Sequence, residues 1–275
     1  MKTYETLAID VAPDGVGILT FNRPDKRNAM SPQLHRDMAE ALEEIRYDPT
    51  VRVLVLTGAG PAFCAGMDLK QFFTELGDKP AEYDKVFRIA TEWRGRTLRY
   101  FPKPTIAMIN GFCFGGAFAI VEGCDLAIAA EDATFGLSEI NFGTFPGGAV
   151  SKALANLLRP RDALFYGMTG RKFDGKVAAD IGFINYAVPA ASLRDEVMVV
   201  AREIAAKNSH ALAATKDGYH HSLDMGWDAA ISYANVMQDS LTLRQKGAWQ
   251  EKGIGDFLKG EFRPGLEANP GLRDG

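Results

Sequence analysis

A single carboxylate stands out in the sequence as a candidate for acid–base chemistry. Glu139 follows the run Phe135-Gly136-Leu137-Ser138, in a glycine-flanked segment that is otherwise apolar. A positioned glutamate can take a proton from a reacting group and return it, which is the task of a general acid–base catalyst. Glu139 is therefore the first candidate catalytic residue.

A glycine-rich break upstream of Glu139 offers a complementary feature. The apolar run Thr105–Ile109 predicts a buried strand, Gly115 and Gly116 interrupt the pattern, and the apolar segment 117–121 predicts a helix. A helix that begins at these glycines presents unpaired backbone N–H groups and positive partial charge. Such a helix end can stabilise an oxygen that becomes anionic during a reaction, so the pattern favours an oxyanion site beside an acid–base carboxylate.

The patterns of several other enzyme classes do not occur in the sequence. Gly136-Leu137-Ser138-Glu139-Ile140 lacks the final glycine of a serine nucleophile elbow, and no P-loop lysine pattern is present. Gly58-Ala59-Gly60 is followed by Phe63 where a dinucleotide-binding fingerprint needs a third glycine. The four histidines show no metal-ligand spacing, so we expect no metal site.

Composition and charge exclude further classes. The 275 residues are 47% hydrophobic and 24% charged, which is typical of a soluble globular protein. A formal net charge of −4 gives no basic surface for nucleic acid, and no apolar run is long enough to span a membrane. The N-terminal segment has acidic residues where a signal peptide needs an apolar stretch, and the three cysteines form no CxxC pair. We therefore expect a cytoplasmic protein with reduced thiols.

Hydrophobic periodicity predicts an α/β region over the first three quarters of the chain. A helix is predicted after Ser31-Pro32, which reads as an N-cap followed by a first-turn proline. Arg159-Pro160-Arg161 is expected to be the exposed end of the helix predicted at 149–158. The other predicted elements are strands at 15–21, 51–56 and Leu126–Ala130, helical pieces within 69–99 interrupted at 77–80, a turn, short helix and strand within 173–188, and a helix over 193–204.

From residue 209 onward the strand signals vanish. The segments 211–220, 227–243 and 245–259 all predict helices, and 264–275 is expected to be frayed. A helical tail that follows an α/β core and carries aromatic residues suggests subunit contacts, although packing of the tail on its own core explains the pattern nearly as well.

Two loops allow both a structural and a functional interpretation. Arg23, Lys26 and Arg27 lie within five positions, which fits either a solvated turn or a clamp for a phosphate-bearing ligand. Composition alone favours the turn. The segment Ala65-Gly66-Met67 is either a simple glycine turn or a stretch of backbone whose N–H groups face a ligand.

Together, these motifs resemble those of the crotonase (enoyl-CoA hydratase/isomerase) superfamily over residues 18–259. That family folds as an α/β spiral of ββα repeats, followed by a helical region that assembles trimers, often paired into hexamers. The resemblance thus implies a core at 1–208 with the CoA site and a trimerisation region at 209–275. The motifs that carry the resemblance are Asn22-Arg23-Pro24, Asn28-Ala29, Phe63-Cys64-Ala65-Gly66-Met67-Asp68-Leu69, Ile109-Asn110-Gly111, Gly115-Gly116, Cys124-Asp125, Phe135-Gly136 and Glu139.

The resemblance assigns roles to the backbone and to the basic loop. The two N–H groups of the family's thioester oxyanion hole fall on Met67 and Gly116. The loss of one such donor typically costs about 3–4 kcal/mol of barrier. CoA contacts are implied at Lys26, Arg27, Ala65 and Asp68. No separate cofactor is implied, because CoA is part of the substrate.

The number of glutamates distinguishes this chain from typical members of the superfamily. Enoyl-CoA hydratases typically carry two glutamates, and here the first position is Ala119 while the second is Glu139. A methyl group cannot shuttle a proton, so the usual two-carboxylate mechanism is not available. Glu122 lies one helical turn beyond Ala119 and could either substitute or serve packing or a salt link.

This one-glutamate pattern most resembles the subgroup of hydratase-lyases that act on 4-hydroxycinnamoyl-CoA. Those enzymes hydrate the side-chain double bond of an aromatic acyl-CoA and then cleave the product to acetyl-CoA and an aromatic aldehyde, vanillin in the case of feruloyl-CoA. The resemblance places Tyr233 near the para-hydroxyl, with packing at an interface as the equal alternative. Phe72 stands where the subgroup has a second tyrosine, and Ala119 and Gly147 are further substrate-binding candidates.

Two alternatives remain at the level of the sequence. One is a hydratase, isomerase or hydrolase of the same superfamily that acts on another acyl-CoA. The other is a non-catalytic assembly or RNA-binding relative, which the net charge of −4 and the presence of Glu139 disfavour. The expected partners are thus an aromatic acyl-CoA, water and further copies of this chain, as a homotrimer or a dimer of trimers.

Overall fold

The computed structural model describes residues 2–265 and 267–272. Part of the tail predicted to be frayed, residues 266 and 273–275, lies outside the described residues. In chain order the strands are β1 Leu7–Val11, β2 Val16–Phe21, β3 Val53–Gly58, β4 Ala62–Cys64, β5 Thr105–Ile109, β6 Phe112–Phe114, β7 Leu126–Ala130, β8 Thr134–Gly136, β9 Phe173–Asp174 and β10 Tyr186–Val188.

The strands form two sheets. The larger has the order β1-β2-β3-β5-β7-β10 and is parallel except where β1 pairs with β2, and the smaller has the order β4-β6-β8-β9 and is parallel except at β9. Every residue of β3 and β5 is buried, as their continuous apolar sequences predict for central strands of a parallel sheet. Successive pairs β3/β4, β5/β6 and β7/β8 each contribute one strand to each sheet. The predicted α/β spiral of ββα repeats is confirmed.

Helices follow these strand pairs and cover the sheets. They are α1 Pro32–Tyr47, α2 Pro80–Glu92, α3 Phe118–Gly123, α4 Ala149–Leu157, α5 Pro160–Thr169, α6 Gly175–Asp180, α7 Leu193–Ala205, α8 Ser209–Ser222, α9 Trp227–Arg244 and α10 Gly255–Leu258. Shorter π-helical segments lie at Leu69–Thr74, Trp93–Thr97 and Trp249–Ile254. No helix in the described ranges is long and apolar enough to cross a membrane.

The predicted start of α1 is confirmed in detail. The Ser31 hydroxyl accepts a hydrogen bond from the Leu34 amide at 3.1 Å, and Pro32 occupies the first turn. The side chain satisfies one of the amides that a helix start leaves without a partner, while the proline needs no such partner. The helix therefore begins where the sequence placed it.

Two predictions about local structure are wrong. Arg159-Pro160-Arg161 is not the exposed end of a helix, because Pro160 begins α5 after an extended Arg159. A proline fixes the backbone angle that a first helical turn needs, so it starts a new helix as readily as it ends one. The segment 245–259 is not one helix but a π-helical turn, Trp249–Ile254, followed by α10. The sequence patterns do not predict β1 or any of the four short strands of the smaller sheet.

The first helix of the C-terminal region is tied to the core by a buried ion pair. Lys216 on α8 donates to Asp125 at 2.9 Å, and the Asp125 carboxylate also accepts from the Thr105 amide at 2.7 Å. By contrast, α9 has no buried residue within the described chain and exposes several large apolar side chains. The division at residue 208 stays a prediction.

Candidate active site

A cavity of about 840 Å³ lies beside the two glycine-rich turns that the sequence analysis singled out. Among the described residues that line it, two carry charge, Arg94 and Glu139. The other lining residues are mostly apolar or glycine: Ala65, Gly66, Met67, Leu69, Phe72, Phe73, Thr74, Phe87, Thr91, Gly115, Gly116, Ser138, Phe142, Thr144, Phe145, Gly147, Gly148, Ala149 and Val150.

The amide of Met67 faces away from its strand neighbour. Met30 and Met67 form a parallel bridge, in which the Met30 amide donates to the Gly66 carbonyl at 2.7 Å and the Asp68 amide donates to the Met30 carbonyl at 3.0 Å. Because backbone groups alternate sides along an extended strand, the N–H of Met67 itself points to the opposite side. Gly66 has a φ of +90°, so a glycine is favoured at this close turn.

Gly116 lies against the same wall. It is the second residue of a short 3₁₀ turn, Gly115–Ala117, whose first N–H groups have no acceptor within the turn. A Cβ added at Gly116 would lie 3.6 Å from the Cγ of Met67 and 2.9 Å from the Cε of Met30. The structure therefore places Met67 and Gly116 side by side, and the role of their amides as an oxyanion hole stays a prediction.

Glu139 lies next to these turns. One carboxylate oxygen, Oε1, is 2.8 Å from the position that a Cβ on Gly115 would take, and Gly115 has a φ of +52°. The other, Oε2, is buried and has no hydrogen-bond partner among the described residues. Desolvation raises the pKa of this carboxyl above its usual value. A partly desolvated carboxyl beside a pair of backbone donors is suited to moving protons to and from a reacting carbon.

The basic loop is joined to the cavity through its backbone. The Ala65 amide donates to the Arg27 carbonyl at 2.9 Å, and the Arg27 guanidinium lies over the Phe112 ring at 4.8 Å. Lys26 is exposed, with its Nζ 4.0 Å from Asp25. The CoA contacts of Lys26, Arg27 and Ala65 stay predictions.

Asp68 has structural partners of its own. It pairs with Arg23 at 3.0 Å, with both side chains largely buried, and its other oxygen accepts from the Gln71 amide at 3.0 Å, where a π-helical segment begins. The predicted contact of Asp68 with CoA stays a prediction.

The predicted substrate contacts fall into two groups. Phe72 and Gly147 line the cavity, and the Phe72 ring packs edge-on against His35 and Tyr83. Ala119 is buried within α3 and is not among the lining residues, and Tyr233 lies on α9 with its ring 5.2 Å from that of His221. Within one described chain, the structure does not bring Ala119 or Tyr233 to the cavity wall.

Glu122 is engaged elsewhere. Its carboxylate forms a buried ion pair with Arg99 and accepts a hydrogen bond from Asn156 at 2.8 Å. Of the two roles left open by the sequence, the structure shows the salt link.

The sequence analysis missed Arg94. Its Nε donates to the Ala90 carbonyl at 2.9 Å and its Nη1 to the Gly116 carbonyl at 3.3 Å, so it borders the predicted oxyanion site. Desolvation lowers the pKa of this guanidinium to about 10. No sequence signal separates Arg94 from Arg96 and Arg99, because three arginines within six positions of a helix read as an ordinary polar face.

Thiol and metal chemistry find no support in the described chain. Cys64, Cys113 and Cys124 are all buried, and desolvation raises the pKa of Cys64 to about 12, which keeps the thiol protonated. Within the described ranges, no three His, Cys, Asp or Glu side chains are grouped as metal ligands.

Comparison with known proteins establishes the class. Residues 12–261 match the enoyl-CoA hydratase/isomerase family, so the chain belongs to that family and the predicted membership is confirmed. Among solved structures, an enoyl-CoA hydratase of Mycobacterium smegmatis superposes with a TM-score of 0.85 at 30% identity, over 95% of this chain and 98% of the other. An enoyl-CoA hydratase of Bacillus anthracis gives 0.85 at 25% identity, over 97% and 100%.

One relative with a similar sequence has a name that specifies its reaction. A hydroxycinnamoyl-CoA hydratase-lyase of Pseudomonas fluorescens is 44% identical to this chain over 274 residues, which are 98% of this chain and 99% of that protein. The resemblance to this subgroup, which the motifs indicated, extends over nearly the whole chain.

Proposed function

We propose that this enzyme hydrates a 4-hydroxycinnamoyl-type CoA thioester and then cleaves the product to an aromatic aldehyde and acetyl-CoA. One observation carries the proposal beyond family membership. Glu139 is the one carboxylate among the described residues that line the cavity, and it lies against Gly115, the residue before Gly116. The 44% identity to a hydroxycinnamoyl-CoA hydratase-lyase supports the same reaction.

In the hydration step, Glu139 takes a proton from water as the water oxygen bonds to Cβ of the substrate. The electron pair of the double bond moves toward the thioester, whose oxygen becomes an enolate held by the amides of Met67 and Gly116. Glu139 then delivers the proton to Cα.

In the cleavage step, Glu139 takes the proton of the new β-hydroxyl. The C–O bond becomes the aldehyde carbonyl, the Cα–Cβ bond breaks, and its electron pair forms the enolate of acetyl-CoA in the same oxyanion site. Return of the proton from Glu139 to Cα completes acetyl-CoA. Over both steps, one acyl-CoA and one water give one aldehyde and one acetyl-CoA, so a single carboxylate can carry all the proton transfers.

Recognition of the substrate has three parts in this proposal. Lys26 and Arg27 contact the phosphates of CoA, with the backbone around Ala65 and Asp68 beside the thioester arm. Phe72 and Gly147 contact the acyl group. Tyr233, which lies outside the lining of the cavity in one chain, contacts the para-hydroxyl from another copy in a trimer or a dimer of trimers.

The test compares an aromatic and an aliphatic substrate. The enzyme is incubated with feruloyl-CoA and with crotonyl-CoA, and aldehyde, hydrated thioester and acetyl-CoA are quantified. We expect vanillin and acetyl-CoA from feruloyl-CoA, and a loss of at least about 100-fold in kcat for Glu139→Gln, the lower end of what general acid–base catalysis contributes.

A matched control is Glu131→Gln, because Glu131 pairs with Lys176 at 2.9 Å and does not line the cavity. This variant should keep the unmodified rate. Hydration of crotonyl-CoA without aldehyde from feruloyl-CoA would instead support a hydratase for another acyl-CoA. Unchanged turnover in Glu139→Gln would remove Glu139 from the mechanism.

A further inference from the structure

The cavity wall holds a cation that has no anionic partner. No carboxylate in residues 2–265 and 267–272 lies within salt-bridge distance of Arg94, and the charged pairs nearby are formed by other residues. Its two hydrogen bonds, from Nε to Ala90 and from Nη1 to Gly116, both end on backbone carbonyls. The structure gives Nη2 no acceptor among the described residues.

An unpaired charge in these surroundings has an energetic cost. The cavity around Arg94 is lined by apolar side chains such as Phe72, Phe87 and Val150. A cation removed from water loses solvation, and here desolvation lowers the pKa of the guanidinium to about 10, which still leaves it charged at neutral pH. A bound molecule that supplies an anion would offset this loss of solvation.

Arg94 shares the cavity wall with aromatic side chains that suit the acyl group of the substrate. Phe87, Thr91 and Arg94 are spaced four and three residues apart, so one face of α2 and its π-helical continuation presents all three to the cavity. Of the predicted CoA contacts, Lys26 and Arg27 belong to a different segment and do not line this cavity, whereas Ala65 does. Phe72, a ring that cannot hydrogen-bond, shares the wall with Arg94.

We propose that Arg94 is a specificity-determining residue that binds an anionic oxygen carried by the acyl group of the substrate. With a 4-hydroxycinnamoyl group, this oxygen is the phenolate. With a dicarboxylic acyl group, it is the distal carboxylate. A guanidinium at this place favours the ionised phenol over the neutral one. The inference rests on the proposed function for the phenolate and deepens it.

A purely structural role makes a different prediction. In a purely structural role, Arg94 would do no more than hold the Gly116 carbonyl, and with it the Gly115–Ala117 turn, in place. In that case its loss would weaken every acyl-CoA equally, whatever the para substituent. If Arg94 binds an anionic oxygen, its loss weakens only the ligands that carry one. The ratio between ligands therefore separates the two roles.

The experiment measures binding rather than turnover. Dissociation constants are determined by calorimetric titration at pH 8 for 4-hydroxy-, 4-methoxy- and 4-carboxycinnamoyl-CoA, using Glu139→Gln to prevent reaction. We expect the addition of Arg94→Gln to raise Kd roughly 10- to 100-fold for the hydroxy and carboxy ligands, the effect of losing a hydrogen bond to a charged group, and to leave the methoxy ligand unchanged.

The matched control is Arg96→Gln in the same background. Arg96 lies two positions away, is exposed and does not line this cavity. It should change none of the three constants. An equal rise for all three ligands with Arg94→Gln would reduce Arg94 to a support of Gly116 and overturn the proposal, as would no rise at all. A rise for the carboxy ligand alone would assign the site to carboxylates.

A second measurement needs no change at Arg94. The ionisation of 4-hydroxycinnamoyl-CoA is followed by its absorption spectrum against pH, free and bound to Glu139→Gln. We expect the bound phenol to ionise at least one pH unit below the free one, and an equal or higher pKa when bound would contradict the phenolate assignment even if Arg94→Gln does not fold. Because neither measurement depends on aldehyde release, failure of the proposed reaction and failure of this inference give different results.

Discussion

At the scale of residues, the cavity contains two charges that do not neutralise each other. Glu139 touches Gly115 and Arg94 touches Gly116, yet no ion pair joins them in the described chain. Both groups lose solvation in the cavity. Desolvation therefore raises the pKa of Glu139 and lowers that of Arg94, which in each case favours the neutral form. Functional groups are often kept in such unfavourable surroundings, since the substrate and the reaction supply the missing partner.

Stability should therefore improve when the charge of Glu139 is removed. A raised pKa means that the folded state binds a proton more tightly than the unfolded state. The free energy of unfolding therefore falls as the pH rises from the ordinary pKa of a glutamate to the raised pKa of Glu139, and it stays low above that pH. We expect Glu139→Gln to raise Tm at pH 8 by roughly 2–4 °C, which corresponds to about 1 kcal/mol. The gain should shrink as pH is lowered toward 4, and calorimetric scans at several pH values measure it. A lower Tm at pH 8 would contradict this account.

At the scale of elements, the site is assembled where three strands of the smaller sheet end. Met67 follows β4, Gly116 follows β6 and Glu139 follows β8, which are neighbours in the smaller sheet. Because these strands are parallel, the segments that leave their ends emerge at the same edge. Three residues that are far apart in the chain are thus held side by side by sheet pairing.

Helix α8 ties the helical region to this core. The Asp125 carboxylate is desolvated, but the nearby His220, at 3.9 Å, and hydrogen bonds from Lys216 and Thr105 hold its pKa below the usual value. The Lys216 side chain is 7% exposed and that of Asp125 is 20% exposed, so removal of one partner leaves a largely buried charge without its counter-ion.

We expect Lys216→Met to destabilise the protein by about 3–5 kcal/mol, the cost of breaking a buried pair. Chemical denaturation measures the change. The matched control is Lys176→Met, because the pair of Lys176 with Glu131 is largely solvent-exposed, and its loss should cost less than about 1 kcal/mol. If both variants lose the same small amount of stability, α8 does not depend on this pair.

At the scale of the whole molecule, the C-terminal helices are the part that a single chain leaves unburied. Trp227, Val236 and Leu243 on α9 are 81%, 66% and 79% exposed. Exposed apolar surface of this extent usually marks a contact with another protein, and the family resemblance predicts further copies of this chain. The same contact would carry Tyr233 toward a neighbouring cavity.

Assembly should therefore depend on α9. We expect Val236→Asp to shift the protein from trimer or hexamer to monomer, because a charge placed in an apolar interface loses its solvation. Light scattering after gel filtration gives the mass. The control is Val199→Asp on α7, an apolar position that is 50% exposed outside the helical region. An unchanged mass in Val236→Asp would remove α9 from the interface, and with it the route of Tyr233 to the acyl group.

The sequence by itself determined the features that depend on local patterns. Continuous apolar runs specified the buried strands β3, β5 and β7, and the Ser31-Pro32 pair specified the start of α1. The motif around Glu139 and the two glycine turns were readable because glycine and an isolated carboxylate are conspicuous in an apolar segment.

Only the tertiary structure decided which charges meet. Lys216 and Asp125 are 91 positions apart in the sequence. The sequence allows Glu122 either a catalytic or a structural role, and the structure pairs it with Arg99. Arg94 could not be told from Arg96 in the sequence, yet one lines the cavity and the other is exposed. Solvation and pairing of a charged side chain depend on neighbours brought by the fold, so the sequence pattern leaves them open.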